Sequence, residues 1–123
     1  MHNLMATLGI KTNCVTKTKV IISLKVSDSV KQPYGFLHGG VNTVMAETAA
    51  SLGANRNLSP NEHAVGVDVT THHLKPVGSG TIIATATPLH IGRRLQTWQV
   101  MIKHKEQLTS ISTVTLTNVS NHE

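Results

Sequence analysis

One segment of the sequence places a histidine, two glycines and a carboxylate at spacings that suit acid–base chemistry. Residues 32–53 read QPYGFLHGGVNTVMAETAASLG, in which His38, Gly39 and Gly40 precede Glu47. Apolar side chains recur at spacings of three and four after the glycines, which predicts that the one substantial helix begins there. Because the first N–H groups of a helix lack intrahelical acceptors and its dipole favours negative charge, an oxygen that gains charge could bind at Gly39. Glu47 is either a functional carboxylate or an edge residue that reaches solvent.

The apolar spacing also predicts how this helix is oriented. The residues expected to face the core are Val41, Val44, Met45, Thr48, Ala49 and Leu52. At about 100° per residue, another face carries Gly40, Val44, Glu47 and Ser51, which sets the carboxylate between the helix start and a hydroxyl one turn on. Such a helix must be covered by other segments, and the rest of the chain supplies strands.

The segments around this helix have the period of two that is typical of half-buried strands. Val20, Ile22 and Leu24 alternate with other side chains within residues 10–26, where we place a turn at residues 17–19. Four further runs rich in Val, Ile and Thr span residues 64–73, 80–89, 95–103 and 107–119. Their short connections predict antiparallel pairing. One helix and about five strands predict an α+β domain in which the sheet covers the helix.

The remaining segments are predicted to be peripheral. Residues 2–8 favour a short helix that ends at Gly9. Residues 27–36 are predicted to form a loop that places Gln32 near the N-terminus of the central helix. Residues 55–61 are predicted to form a crossover on the surface. Residues 118–123 are expected to be a frayed tail.

Composition argues against several classes of function. A chain of 123 residues corresponds to one domain, and a hydrophobic content of 39% suffices for a core. Aromatic residues make up only 2%, which argues against the stacking platforms of nucleic-acid-binding proteins. The net charge of +5 suits a phosphate-bearing ligand without specifying one. Cys14 is the sole cysteine and no membrane span or signal peptide is recognisable, so a cytoplasmic protein is expected.

No metal site is predicted, although the chain contains 8 histidines. His72 and His73 are adjacent, but neighbouring side chains on a strand point to opposite faces of the sheet. The pair therefore cannot easily ligate one ion, and no recognised metal-binding motif is present.

Two groups of motifs resemble those of hotdog-fold acyl-CoA thioesterases. G-F-L-H-G-G-V followed by A-E-T-A-A-S is similar to the signature of the phenylacetate-pathway-like branch, which includes 1,4-dihydroxy-2-naphthoyl-CoA and 4-hydroxybenzoyl-CoA enzymes. K-Q-P-Y-G upstream and P-L-H-I-G-R-R-L-Q-T-W downstream extend the resemblance from about Lys31 to about Trp98. It implies one hotdog domain over residues 1–123, with an antiparallel sheet of five to six strands wrapped around one long central helix. It also implies hydrolysis of an aromatic or medium-chain acyl-CoA, with coenzyme A as part of the substrate and no separate cofactor.

The resemblance implies roles for the residues of the central segment. Glu47 matches the acid that acts as nucleophile or general base towards the thioester carbonyl, and Gly39 matches the N–H that stabilises the oxyanion. Gln32 and His38 match positions that orient the thioester and shape the donor site. Ser51 matches a hydroxyl that holds the attacking water, although a small serine could equally serve helix packing.

Coenzyme A is expected to bind basic residues elsewhere in the chain. Similar proteins hold its nucleotide and pantetheine with a turn that matches His90, Gly92, Arg93 and Arg94 here, and with residues that match His73 and Lys75. Guanidinium groups suit this task because they bind phosphate bidentately, although a solvated turn is an equal alternative. Close relatives usually have an arginine in place of Lys75 and further basic residues near 77–79 and Thr113, so coenzyme A is expected to be anchored more weakly or in a different arrangement here.

Two other functions remain open besides thioester hydrolysis. Hotdog hydratases and dehydratases use a catalytic histidine with an acid placed differently on the helix. A non-enzymatic module could instead bind acyl-CoA or an acyl carrier protein. In each case a homodimer or homotetramer is expected, because the helix flank needs a partner to close the site and an edge of the sheet would otherwise be bare.

Overall fold

Six antiparallel strands and one long helix make up the fold. The computed structural model describes residues 3–121. Its elements are α1 (Leu4–Leu8), β1 (Lys11–Val15), β2 (Val20–Lys25), α2 (Gly39–Asn55), β3 (Glu62–His73), β4 (Thr81–Ile91), β5 (Leu95–His104) and β6 (Gln107–Ser120). The strands form one sheet in the order β1-β2-β4-β5-β6-β3, and every neighbouring pair is antiparallel. The predicted α+β class and the hotdog arrangement are confirmed.

The core lies between α2 and the inward face of the sheet. Alternate side chains of β5, from Gln96 to Ile102, are fully buried against the helix. Trp98 is among the largest of them, and a Cβ added at Gly53 of α2 would lie 2.4 Å from its indole ring. Residue 53 therefore cannot carry a side chain unless the helix or the indole moves.

α2 is rotated relative to the predicted orientation. Val44, Thr48 and Leu52 were expected to be core residues but are only half-buried. The buried residues of α2 are Val41, Asn42, Met45, Ala46, Ala49, Ala50, Gly53 and Ala54. The prediction gave weight to large apolar side chains, whereas the close approach of the sheet favours small ones at this contact.

The two ends of the described chain are both ordered by hydrogen bonds. In α1, the Asn3 side chain accepts a hydrogen bond from the Ala6 N–H, and Gly9 ends the helix with a φ of 79°. His2, which was part of this prediction, lies outside the described residues. The predicted frayed tail is wrong for residues 118–120, because β6 pairs with β3 as far as Ser120, and residues 122–123 lie outside the described range. No helix in the described part of the chain is both long enough and apolar enough to cross a membrane.

Candidate active site

The first turn of α2 presents a backbone donor. His38 is the N-cap residue, and its Nδ1 accepts a hydrogen bond of 2.8 Å from the Gly40 N–H. The His38 carbonyl oxygen accepts another of 2.9 Å from the Val41 N–H. Among the hydrogen bonds within residues 3–121, none engages the Gly39 N–H, which is the first of the helix and has no intrahelical acceptor. His38 therefore fixes the helix start and leaves the Gly39 N–H available to a ligand.

A cleft of about 330 Å³ opens at this end of α2. Four of the predicted site residues line it, namely Gln32, Gly39, His73 and Lys75. The other lining residues are Phe36, Leu37, Asn42, Leu74, Pro76 and Val77. Sequence reasoning missed these six, since segments 36–42 and 73–77 meet only in the folded chain.

Gln32 is oriented within the loop that leads to α2. Its Oε1 accepts a hydrogen bond from the Tyr34 N–H. Because this backbone donor must face the amide oxygen, the Nε2 group is the part of Gln32 that can donate to a ligand. Gln32 can thus supply a second donor to the cleft that contains Gly39.

His73 lies against the start of α2, although the sequence assigned it to coenzyme A binding. A Cβ added at Gly39 would lie 3.1 Å from its Cε1 and 3.2 Å from its Nε2. The nearby Asn42 side chain is buried, and its Nδ2 lies 3.2 Å from His73 Nδ1. The imidazole of His73 packs closely on the helix backbone at residue 39, and a glycine there leaves room for it.

A row of α2 residues spaced four apart runs along β3. At its start, His73 packs on Gly39, and one turn later the Thr43 hydroxyl donates to Thr71 Oγ1 at 3.1 Å. At its end, Asn55 Oδ1 accepts from the Ala64 N–H at 2.9 Å. The complete row is Gly39, Thr43, Glu47, Ser51 and Asn55. The predicted flank contained Gly40 and Val44 instead of Gly39 and Thr43, so Glu47 and Ser51 share a row with Gly39 and Thr43 on the side of α2 that faces β3.

The Glu47 carboxylate rests on the backbone of β3. Glu47 is exposed in the protomer, and a Cβ added at Gly66 would lie 2.4 Å from its Oε2. The register of β3 against β6 shifts between Gly66 and Asp68, immediately beside this contact. A glycine within a strand pattern is the signal that could have indicated such a close approach.

Ser51 lies one turn beyond Glu47 and is oriented by Asn55. The Asn55 Nδ2 donates to the Ser51 carbonyl oxygen at 2.8 Å and approaches its Oγ at 3.4 Å. Since Ser51 Oγ accepts in this contact, its own proton can be donated elsewhere. The hydroxyl can therefore donate to a water, which is compatible with the water-holding role that the resemblance implies.

One protomer does not bring all catalytic candidates together. Gly39 and Glu47 are eight residues apart on a continuous helix, which separates them by about 12 Å along its axis. Gln32 and Gly39 line the cleft and His38 caps the helix beside it, whereas Glu47 and Ser51 lie beside β3 two or more turns away. A single acyl carbonyl cannot contact both groups within one chain.

The β4–β5 turn, residues 92–94, lies at the far end of the sheet from the cleft. The Asn118 Nδ2 donates to the carbonyl oxygens of Gly92 at 3.2 Å and Arg93 at 2.8 Å, and the Asn118 N–H donates to that of Arg94 at 2.8 Å. The side chains of Arg93, Arg94 and His90 are exposed.

His73 and Lys75, at the cleft, are therefore remote from this turn in one protomer. β3 runs antiparallel to β6, and residue 65 of β3 pairs with the part of β6 that also contacts the turn. His73 and Lys75 lie at the C-terminal end of β3, whereas the β4–β5 turn lies beyond β6 from its N-terminal half, so the two predicted coenzyme A groups do not form one site within the chain.

These contacts support carbonyl chemistry based on backbone and amide donors and a carboxylate. Within residues 3–121, no cluster of three or more His, Cys, Asp or Glu side chains is arranged to hold a metal ion. A ligand in the cleft would meet the Gly39 N–H, the Gln32 amide and the His73 ring. Such donors suit an oxygen that becomes negatively charged.

Comparison with known proteins identifies the group to which the chain belongs. The family model described as thioesterase superfamily matches residues 34–111. A Listeria monocytogenes protein named 1,4-dihydroxy-2-naphthoyl-CoA hydrolase is 40% identical over 114 residues, which cover 92% of this chain and 93% of that protein. A Klebsiella pneumoniae protein named proofreading thioesterase EntH is 30% identical over 101 residues, which cover 82% of this chain and 74% of that protein.

Solved structures agree with the sequence comparison. The crystal structure of a thioesterase from Haemophilus influenzae superposes with a TM-score of 0.92 at 36% identity, over 97% of this chain and 84% of that chain. The superposition includes α2 and the sheet that carry the candidate residues, since nearly the whole chain is covered. By motif, fold and sequence similarity, the chain belongs to the thioesterase superfamily.

Proposed function

We propose that the protein hydrolyses acyl-CoA thioesters to a free acid and coenzyme A. The observation that carries this proposal is the unengaged Gly39 N–H in the cleft at the start of α2. An attacked thioester carbonyl becomes an oxyanion, and one preorganised backbone donor typically accelerates such a step by about 10²- to 10³-fold. Membership of the thioesterase superfamily supports the same reaction.

The acyl group is proposed to be aromatic or of medium chain length. Phe36, Leu37, Leu74 and Val77 give the cleft an apolar lining. Its volume of about 330 Å³ suits a small apolar group rather than a long chain. The name of the Listeria relative, which refers to an aromatic acyl-CoA, supports the aromatic alternative.

Glu47 is proposed to act on the thioester as general base or nucleophile. As a base, it takes a proton from water while the water oxygen bonds to the carbonyl carbon. As a nucleophile, it forms an anhydride with the acyl group, which water then opens. In both cases the C–S bond breaks and the coenzyme A sulfur leaves as a thiolate that takes up a proton. Ser51, oriented by Asn55, would hold the water.

The site is proposed to form between two copies of the chain, in a homodimer or a tetramer built from such dimers. Gly39 and Glu47 are about 12 Å apart along α2, so a single carbonyl needs Gly39 from one copy and Glu47 from the other. β3 is an edge strand of 12 residues, and a symmetric pairing along it would bring two copies of α2 together.

Coenzyme A is proposed to bind with its phosphates near Arg93 and Arg94 and its pantetheine near Lys75. In one protomer these residues lie towards opposite ends of the sheet, so both groups could contact one coenzyme A only across a dimer. The exposed guanidinium groups on a turn fixed by Asn118 suit phosphate oxygens.

The proposal is tested by thiol release from a panel of aromatic and aliphatic acyl-CoAs, with Glu47→Gln as the decisive variant. Glutamine is nearly isosteric but cannot accept the proton, so kcat should fall by about 10²- to 10⁴-fold while acyl-CoA affinity is kept. Because Glu47 is exposed in the protomer, the melting temperature should not fall. Glu106→Gln, which removes a carboxylate from the exposed β5–β6 turn, is the matched control and should retain wild-type kinetics.

Other outcomes would favour the alternative functions. A folded Glu47→Gln protein with wild-type turnover would remove this residue from the mechanism. A wild-type protein that binds acyl-CoA but releases no thiol would indicate a binding module, and addition of water across an enoyl-CoA would indicate a hydratase.

A further inference from the structure

Asn42 is an unusual residue for its place in the fold. It lies in the first turn of α2 on the face packed against the sheet, and only 6% of it is exposed. Its Nδ2 lies 3.2 Å from His73 Nδ1, while its Oδ1 is buried and has no hydrogen-bond partner among residues 3–121. Leaving one end of a buried amide without a hydrogen bond costs free energy of folding. The one contact that the Asn42 side chain does make therefore restricts how its amide is oriented.

The Asn42 amide has two orientations, and they impose opposite protonation on His73. With Nδ2 towards the ring, Asn42 donates to His73 Nδ1, and the neutral ring carries its proton on Nε2. With Oδ1 towards the ring, Nδ1 must carry the proton. The second orientation would leave a buried NH₂ group with two unpaired donors, and orphaned buried N–H groups are rarer than orphaned carbonyls. The first orientation is therefore favoured.

In this tautomer the His73 Nε2–H lies close to the Gly39 N–H. A Cβ added at Gly39 would lie 3.2 Å from His73 Nε2. Since that Cβ position is about 2.5 Å from the glycine nitrogen by standard geometry, the two nitrogens are at most about 5.7 Å apart. Two donors that bond one carbonyl oxygen at about 2.9 Å along its two lone pairs are about 5.0 Å apart, which lies within this bound. His73 also lines the cleft, so such an oxygen can reach it.

We propose that Asn42 fixes the Nε2–H tautomer of His73, and that this N–H is a further donor to the thioester carbonyl oxygen bound by Gly39. Asn42 is the positioning residue and His73 the catalytic one. The proposal rests on the thioesterase function proposed above. It assigns His73 to the reacting carbonyl rather than to coenzyme A, which the sequence had suggested.

The tautomer is measured without substrate by long-range ¹H–¹⁵N correlation on ¹⁵N-labelled wild-type protein, at a pH where the ring is neutral. We expect a pyridine-like Nδ1 and a pyrrole-like Nε2 for His73. In Asn42→Asp, a carboxylate can only accept from Nδ1–H, so the pattern should reverse. An Nδ1–H tautomer in the wild type would overturn the proposal. This result is obtained from the wild-type protein alone, so it does not depend on whether a variant folds.

The chain contains a second histidine–asparagine pair that serves as the matched control. His63 Nδ1 contacts Asn121 Oδ1 near the opposite end of β3, away from the cleft. Asn121→Ala should change the ¹⁵N pattern of His63 and leave that of His73 and the turnover unchanged. A change at His73 in this variant would mean that its tautomer depends on the fold as a whole rather than on Asn42.

Donation to the carbonyl is tested by kinetics. His73→Ala should lower kcat by about 10²-fold with little change in KM, as for the loss of one oxyanion donor. His73→Gln, which keeps an N–H donor, should recover part of the loss, and Asn42→Asp should lower kcat by about 10-fold or more, since it reverses the donor. A raised KM with unchanged kcat in His73→Ala would contradict the proposal and return His73 to coenzyme A binding.

Binding provides a readout that does not depend on turnover. The probe is an acyl-CoA ketone analogue in which a methylene group replaces the thioester sulfur, so that the carbonyl is kept. Its binding should shift the Nε2–H resonance of His73 and not that of His63. A bound analogue without this shift would exclude the donor role even if no acyl-CoA were hydrolysed, whereas a shift without hydrolysis would reject only the proposed function.

Discussion

Glu47 depends on a glycine in another element for the position of its carboxylate. The carboxylate occupies the space that a side chain at residue 66 would fill, 2.4 Å from the Cβ position. A polar side chain held against a strand backbone has fewer conformations than a free one, which favours a fixed catalytic geometry. Gly66 is therefore expected to act through Glu47 rather than through the stability of β3.

Gly66→Ala tests this dependence. The added methyl group forces the flexible end of Glu47 to move, so kcat should fall by about 10-fold or more while the melting temperature changes little. If displacement of Glu47 is the whole effect, adding Gly66→Ala to Glu47→Gln should cost almost nothing further. Fully additive losses, measured by thiol release, would show that Gly66 acts independently.

The sequence predicts the relative positions of some candidate site residues far better than those of others. His38, Gly39 and Glu47 lie within one helix and its cap, so their spacing along the chain is also their spacing in space. Asn42, Gly66 and Asn118 matter through contacts between segments far apart in the chain, as between Asn42 and His73. Such contacts depend on strand order and register, which single-chain patterns do not fix.

At the scale of elements, the β4–β5 turn is held by the side chain and the backbone N–H of one residue of β6. Asn118 bonds to three successive carbonyl oxygens of the turn and also accepts from Gln96 Nε2 at 3.2 Å. The buried Gln96 in turn donates to the Ala54 carbonyl oxygen at 3.0 Å. These bonds connect the β4–β5 turn to the end of α2, so the backbone that carries the Arg93 and Arg94 side chains is held in place.

Asn118→Ala should loosen this turn, although Asn118 itself is not proposed to contact the ligand. If Arg93 and Arg94 bind coenzyme A phosphates, KM should rise by about 3- to 30-fold with kcat nearly unchanged, because the lost binding is common to ground and transition states. The double variant Arg93→Ala/Arg94→Ala should raise KM at least as much. Unchanged kinetics in both variants would indicate that the turn is only a solvated connection.

The elements themselves were largely predictable, because each has a local signal. The glycine pair marked the start of α2, and period-two runs marked β2 to β6 within a few residues. The rotation of α2 was not predictable, since it depends on how closely Trp98 approaches Gly53. Residues 118–120 were expected to fray, because their pairing with the distant start of β3 leaves no local signal in the sequence.

At the scale of the whole molecule, β3 leaves one edge of the sheet unpaired in the protomer. Val65 and Val67 of this strand are 42% and 56% exposed. Long edge strands with exposed apolar side chains pair readily with another chain. The edge also lies beside Glu47, so pairing there would build the site as well as cover the strand.

Val67→Lys tests the dimer. A charge on this edge should shift the protein towards monomer and reduce specific activity at low enzyme concentration. Thr12→Lys, on the exposed edge strand β1 at the other side of the sheet, is the matched control and should leave both properties unchanged. Light scattering and thiol release on the same samples provide the measurement, and a fully active monomer would reject the shared site.

The distance between Gly39 and Glu47 along α2 also has a consequence for mixtures of variants. Glu47→Gln and Gln32→Ala damage different halves of a site, so each homodimer should be nearly inactive. A mixed dimer would contain one site with both lesions and one with neither, since the intact cleft of one copy faces the intact carboxylate of the other. After random exchange of subunits, two inactive preparations should regain up to about one quarter of wild-type activity. Complementation of this kind would occur equally in a cell that carries both alleles, whereas sites confined to single chains would never recover.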